Sequence, residues 1–222
     1  MDFIDHMKKS KLEIVQIYEK LLDYFFSGVL AFVVLKTLRE EFQRTHEGRD
    51  EIFISTLYIS TYNTMVLALA NTVKPSKESI HLAYLFNCIK ESKGKFDIVT
   101  FNRLSSFMRE AETLLNSITA TIDAAITLRD TSVAHLDRRH INNPASFINN
   151  PPIKWDDIEF AYDIVGSTLL ETGKLLGLSD LKPYTALANL ALSQQTRGVF
   201  RFLYAPDKRS PRKPFENGEE QK

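Results

Sequence analysis

Hydrophobic residues recur along most of this chain at steps of three and four, which is the spacing of one face of an α-helix. Gly28 separates the first two helices that the pattern predicts, and Ser76 is a good N-cap for the fourth. The β-branched patch 98–100 favours a short extended link. The predicted helices cover residues 3–26, 29–42, 50–73, 77–91, 103–136, 155–176 and 184–204.

The same pattern predicts how the chain is divided. Helices account for most of residues 1–204, so we expect a single all-α domain there, a helical bundle. Pro and charged residues replace apolar ones in 205–222, which predicts a disordered tail. The Asn- and Pro-rich segment 141–154 is a long loop, and loops of that length are often functional.

The charge balance and the cysteine and histidine content argue against several classes of function and of binding site. The chain has 28 basic and 28 acidic residues, which argues against a general nucleic-acid coat but leaves room for a local basic site. Its one cysteine, Cys88, can form neither an internal disulfide nor a cysteine-based zinc site, and it fits a reducing cytoplasm. We expect Cys88 to be a small buried hydrophobe. The five histidines lack metal-ligand spacing, so no metal and no cofactor are predicted.

Two apolar stretches are candidates for membrane spans. Residues 24–35 are too few to cross a bilayer, which takes about 20 residues. Residues 52–73 are long enough, but their Ser, Thr and Asn side chains would need partners inside lipid. A buried helix of a bundle explains this stretch better, and the N-terminus lacks the pattern of a signal peptide. The prediction is a cytoplasmic protein with no membrane contact.

Residues 128–140 combine groups that bind anions with groups that move protons. Arg129, Asp130 and His135 lie within seven residues. On an unbroken helix Arg129 and His135 point about 120° apart, so they converge only if the helix is interrupted or a second subunit supplies the partner. The small polar residues 130–132 permit such a break. The simpler interpretation is a solvated helix end, where positive charge is favourable without any function.

Arg129 also lies on a helix face that is otherwise apolar. The residues of that face before it are Ile118, Ile122 and Ala125, and Val133 and Leu136 follow. A buried or interfacial arginine needs a carboxylate or phosphate partner to offset its desolvation. Its position therefore favours a functional cleft.

The motif resembles that of a known family. Arg129, Asp130, four further residues and His135, with the tail Ala-His-Leu-Asp at 134–137, resemble the Rx4–6H motif of HEPN domains. The sequence is most similar to the abortive-infection, AbiU-like branch of that superfamily. The resemblance implies an all-helical and usually dimeric fold, which in many members is a metal-independent ribonuclease of toxin–antitoxin or antiphage systems. Asp130 departs from the commoner Asn and adds a negative charge beside the arginine.

The resemblance implies a role for each motif residue. His135 would take the proton of a ribose 2′-OH, Arg129 would stabilise charge on the phosphoryl oxygens, and Asp130 would orient one of the two. Nearby basic groups that would bind the flanking RNA are Arg138, Arg139 and His140. The implied partners are RNA, a second copy of the chain, and an antitoxin or regulatory protein. The alternatives are a non-catalytic HEPN-like module that binds RNA or a partner protein, and a purely structural bundle.

The last predicted helix, 184–204, ends with arginines and aromatic residues. Stacking on unpaired bases is one role for them. The core face and the solvated face of an ordinary helix explain them better. They are Tyr184, Arg197, Phe200, Arg201 and Tyr204.

Overall fold

The computed structural model describes residues 9–44, 51–73, 80–132 and 151–178, with the backbone alone for 41–44, 51–55 and 129–132. This part of the chain is helical and contains no β-strand, which confirms the predicted all-α class. The helices are α1 (Lys11–Arg44), α2 (Glu51–Val73), α3 (Leu82–Glu91), α4 (Ile98–Ser117), α5 (Thr119–Ser132) and α6 (Trp155–Leu175), with a short 3₁₀ helix (Lys93–Lys95) between α3 and α4.

Helix α1 begins later than its hydrophobic pattern predicts. Ser10 and Glu13 form a capping box, in which the Glu13 N–H donates to Ser10 Oγ (3.2 Å) and the Ser10 N–H donates to Glu13 Oε2 (2.8 Å). Lys9 and Ser10 are not helical. The predicted start at residue 3 was therefore wrong, because the cap, and not the apolar spacing, determines where the helix begins.

Helix α1 also runs through Gly28 without interruption, so the prediction of two helices divided there was wrong. A Cβ atom at Gly28 would lie 2.7 Å from Cβ of Ala68 on α2 and even closer to the Tyr162 hydroxyl on α6. Glycine in a helix costs about 1 kcal/mol relative to alanine. Here it permits three helices to approach one another closely.

Helices α1, α2 and α6 form the main core, and buried tyrosines tie them together. The Tyr162 hydroxyl donates to the Met65 carbonyl (2.8 Å), and the Tyr18 hydroxyl donates to the Leu169 carbonyl (3.1 Å). Burial raises the pKa of Tyr18 to about 12, so its hydroxyl remains a neutral donor. Tyr18 contacts the late part of α6, whereas Phe32 packs on Trp155 at its start. Helix α6 therefore runs antiparallel to α1.

Helix α3 begins at a histidine cap. The Tyr84 N–H donates to Nδ1 of His81 (3.1 Å), and both Ile80 and His81 are non-helical. The predicted start at residue 77 was therefore wrong.

The extended link predicted at 98–100 is in fact the first turn of α4. Asp97 caps this turn, because its Oδ1 accepts the Thr100 N–H at 2.9 Å. The cap outweighs the β propensity of Ile98 and Val99, which remain exposed in this turn.

The single long helix predicted over 103–136 is interrupted at Ile118, where α4 ends and α5 begins. The Ile118 N–H donates to the Leu115 carbonyl (3.2 Å), one residue closer along the chain than in an α-helix, and the Ser117 hydroxyl donates to the Leu114 carbonyl (2.6 Å). Such side-chain bonds compete with the helical ladder. Beyond the break α5 packs along α2, while α4 packs against α6.

The extents of α2 and α6 agree with the sequence. Helix α2 is helical as far as Val73, the last residue described before a gap, within the predicted span 50–73. After α6, Gly177 adopts a left-handed φ of 79°, and the Leu178 N–H returns to the Gly173 carbonyl (2.9 Å). The predicted helix 184–204 and the tail 205–222 lie outside the described residues, as does most of the loop 141–154.

Within the described residues, Lys11–Glu40 of α1 is long and apolar enough to cross a membrane by length and composition alone. The apolar stretch 24–35, identified from the sequence, is the middle of this helix. Core helices of globular bundles pass the same test. In this structure Tyr18, Leu21 and Leu35 of α1 are buried in the bundle core.

Candidate functional site

The predicted motif straddles the limit of the described residues. Arg129 and Asp130 lie in the last part of α5, where the backbone is described and the side chains are not. The other four candidates lie outside the described residues: His135, Arg138, Arg139 and His140. Whether Arg129 and His135 converge therefore remains a prediction.

The described part of α5 supports the expected orientation of the motif. Ile118, Ile122 and Ala125 are 1%, 3% and 0% exposed, so the predicted apolar face is buried as far as Ala125. Arg129 occupies the next position of the same face, four residues further along the helix. A charged residue thus follows directly on a core-facing row of apolar side chains.

Helix α5 remains helical through Ser132. The small polar residues 130–132 therefore do not interrupt it, although their side chains compete with helical hydrogen bonds in general. The interruption that the structure does show, at Ile118, lies eleven residues before Arg129. Any turn that brings His135 towards Arg129 within one chain must come after Ser132.

The packing of α5 against α2 determines which part of α2 lies near the end of α5. Ile122, near the start of α5, shares a cleft with Val73, the last residue of α2. Since α5 packs along α2, it runs from there towards the middle of α2, where Tyr62 lies. From Ile122 to Arg129 the helix advances roughly 10 Å.

The chain returns to that same middle part of α2 before α6. The Ile153 N–H donates to the Tyr62 hydroxyl (3.2 Å), and this hydroxyl donates in turn to the Ile153 carbonyl (3.4 Å). Burial raises the pKa of Tyr62 to about 12, which keeps its hydroxyl neutral for both bonds. The segment that carries His135 is therefore held at one end by α5 and at the other by Tyr62.

Beside this anchor lies a cationic and aromatic cluster that the sequence analysis missed. The guanidinium carbon of Arg39 is 5.5 Å from the ring centroid of Trp155. The Trp155 ring is roughly perpendicular to the rings of Tyr58 and Tyr62, with centroid distances of 6.4 and 6.2 Å. Burial raises the pKa of Tyr58 above its usual range, and the nearby Arg39 opposes that shift. Among the described side chains, no carboxylate lies within 4.0 Å of the Arg39 guanidinium.

The chemistry of this cluster suits an oxyanion. A guanidinium stacked on an indole keeps its N–H groups available to a phosphate or carboxylate at its edge. The indole N–H of Trp155 is also buried without a hydrogen-bond partner in the described part of the chain. The only sequence signal was a single tryptophan directly after an Asn- and Pro-rich segment. Nothing in the sequence joined it to Arg39.

The remaining chemically reactive groups are structural where they are described. Cys88 is buried, as predicted, and burial raises the pKa of its thiol, so it is a poor nucleophile. The described residues contain no group of three His, Cys, Asp or Glu side chains close enough to hold a metal ion.

Comparison with known proteins gives no relative from which function could be transferred. No protein-family model, no curated protein and no solved structure matches this chain.

Proposed function

We propose that the protein is a metal-independent endoribonuclease with a HEPN-like helical fold, and that Arg129 and His135 carry the reaction. The observation that supports this most is the register of α5, in which Arg129 follows Ile118, Ile122 and Ala125 on one buried face. An arginine in such a position needs an anionic partner. The phosphate of a bound RNA supplies one.

The proposed reaction is a transesterification within the RNA. His135 accepts the proton of a ribose 2′-OH, whose oxygen bonds to the adjacent phosphorus while the bond from phosphorus to the 5′-oxygen breaks. The leaving 5′-oxygen takes up a proton from solvent, so the products are a 2′,3′-cyclic phosphate and a 5′-hydroxyl. Arg129 stabilises the charge that develops on the phosphoryl oxygens. Imidazole titrates near neutrality, which suits it to this proton transfer.

The other motif residues have supporting roles in the proposal. Asp130 orients Arg129 or His135, and the flanking RNA contacts are Arg138, Arg139 and His140. The resemblance to HEPN domains, whose motifs face each other across a two-fold axis, leads us to propose a homodimer in the cytoplasm. An antitoxin or regulatory protein would restrain the activity in an antiphage role.

The reaction needs a 2′-OH and no metal, and this gives a direct test. Purified protein should cleave RNA in EDTA, leave DNA of the same sequence intact and produce 2′,3′-cyclic phosphate ends. His135→Ala should reduce the rate by about 10²–10⁴. His46→Ala is the matched control because it removes a histidine outside the motif. Cleavage that survives His135→Ala unchanged would defeat the assignment.

A second candidate is a non-catalytic HEPN-like module that binds RNA or a partner protein. It is favoured by the unbroken helix through Ser132, which keeps Arg129 from turning towards His135 within the described part of α5. The carboxylate of Asp130 and the neutral net charge favour it as well. Under this alternative, RNA binding would weaken in Arg129→Ala while no cyclic phosphate would form with either protein.

A further inference from the structure

A cleft lies at the end of the bundle where α2 finishes and α5 starts. Its volume is about 400 Å³, and helices α2 to α5 all contribute to its lining. Phe86, Leu115 and Ile122 form an apolar floor, of which Phe86 and Ile122 are almost fully buried. The cleft is large enough for more than one large side chain.

The charged side chains that line this cleft are acidic as far as the structure describes its lining. They are Glu112 and Asp123, and no basic residue is among the described residues of the lining. Lys90 bonds to Glu112 from outside the lining, with Nζ 2.7 Å from Oε1. Both partners of that ion pair are nearly half exposed, so the pair contributes little and another cation can replace Lys90. The cleft therefore suits a cationic group next to an apolar or aromatic one.

The described chain ends at the same end of the bundle. The Ser92 hydroxyl, directly after α3, accepts the Lys9 N–H (2.9 Å), which places the end of α3 beside the start of α1. The late part of α6 also lies against the early part of α1, through the bond from Tyr18 to Leu169. Leu178, the last described residue, follows α6 by only a short turn.

The chain that continues from Leu178 has the complementary composition. Residues 197–213 contain six basic residues and one acidic residue, with Phe200, Phe202 and Tyr204 among them. Because the whole chain is neutral, the rest of it has an acidic excess of the same size. Eighteen residues lie between Leu178 and Arg197, enough to span roughly 60 Å when extended or about 28 Å as a helix.

We propose that this cleft, the tail cleft, binds the basic and aromatic segment 197–213 of the same chain. An aromatic side chain of the segment packs over Phe86 and Ile122, and its arginines pair with Glu112 and Asp123. The occupant is intramolecular because the described chain ends at the same end of the bundle and the connection 179–196 is long enough to reach the cleft. This docking does not depend on the proposed ribonuclease activity.

Buried Cys88 makes a selective test possible in the full chain, because it reacts poorly with labels. A nitroxide attached at Ser210→Cys should broaden the amide NMR signals of Asn87, Asn116 and Thr119, which line the tail cleft. The signal of Asp163, which is exposed on α6 and does not line the cleft, serves as the reference.

Charge reversal then tests the mode of docking. The double variant Glu112→Lys, Asp123→Lys should lower the ratio of docked to free segment about fivefold, since attraction becomes repulsion. The matched control is Glu110→Lys, which makes the same change on α4 outside the cleft. Arg197→Glu with Arg201→Glu should have the same effect as the cleft variant without altering the described bundle. Combining both reversals should restore the broadening.

Several results would overturn the proposal. One is a nitroxide that leaves the cleft signals sharp in the otherwise unaltered chain, and another is a Glu110→Lys variant that reduces the broadening as much as the cleft variant does. A third contrary result comes from mixing nitroxide-labelled chains with isotope-labelled chains that lack the nitroxide. Broadening of equal size in that mixture would show that a second copy supplies the segment.

Discussion

The α1–α2–α6 core and the motif-bearing end of α5 differ in whether their polar residues find partners within the fold. In the core, Tyr18 and Tyr162 place their hydroxyls inside the bundle, and each donates to a backbone carbonyl of a neighbouring helix. On α5, an apolar face that is buried through Ala125 continues into Arg129. The first arrangement satisfies its polar groups within the fold, whereas the second introduces a full charge where the pattern calls for an apolar residue.

This difference separates structural from functional polar residues. A buried tyrosine adds packing and one hydrogen bond, and each such bond contributes about 1 kcal/mol. An arginine on a core-facing row stabilises nothing by itself, because its desolvation has to be offset by an anion. We therefore expect substitutions in the core to affect stability and substitution of Arg129 to affect activity.

The largest effect should follow when a charge is introduced on α5 one turn before Arg129. Ala125→Arg places a guanidinium at a fully buried position, which should destabilise the protein by about 3–5 kcal/mol. Ala124→Arg is the control, because Ala124 is exposed on the same helix. Urea denaturation of both variants measures the difference. If both were equally mild, the buried face of α5 would not be a core face, and the comparison would fail.

The next effect concerns the closest approach within the core. Gly28→Ala improves helix propensity by about 1 kcal/mol, yet its Cβ would meet Ala68 at 2.7 Å. We expect overpacking to dominate, with a net loss of about 1–3 kcal/mol in thermal or urea unfolding. Gly94→Ala is the control, since a Cβ there meets nothing within 4 Å. A more stable Gly28→Ala protein would contradict the close packing of α1, α2 and α6.

A smaller effect isolates one of the tyrosine bonds. Tyr162→Phe keeps the ring and removes the hydroxyl that donates to the Met65 carbonyl (2.8 Å). The free energy of unfolding should fall by about 1 kcal/mol. Tyr24→Phe, at an exposed position, should be neutral. Equal results for the two variants would mean that the interhelical bond contributes nothing to stability.

The smallest effect is a dependence of stability on pH. Burial lowers the pKa of His81 below 6.5, so near that pH the unfolded chain binds more protons than the folded one. Stability should therefore fall as the pH drops from about 6.5 towards the folded-state pKa. His81→Asn keeps an N-capping side chain and should remove this component. Unfolding midpoints of both proteins, measured from about pH 5 to about pH 8, provide the comparison.

Hydrophobic spacing was enough to predict the all-α class and the extent of α6 to within one residue. It failed where local or long-range contacts determine the structure. The break at Ile118 depends on hydrogen bonds from Ser117 and Ile118 to the preceding turn. The continuity of α1 through Gly28 depends on Ala68 and Tyr162, which are distant in sequence.

Part of the candidate site could likewise be predicted from the sequence, and part of it could not. The apolar face leading to Arg129 could be predicted, because helical periodicity alone defines it. The cluster of Arg39 and Trp155 could not, because only the packing of α6 against α1 brings these two residues together.

The most direct test of the proposed function is to measure RNA cleavage and unfolding side by side for wild type and Arg129→Ala, in EDTA. We predict cyclic-phosphate products from the wild type, a loss of about 10²–10³ in rate for Arg129→Ala, and little change in its stability. Arg103→Ala, which removes an exposed arginine of α4, should leave both unchanged. An Arg129→Ala protein that unfolds more easily but cleaves as fast as the wild type would contradict the central claim.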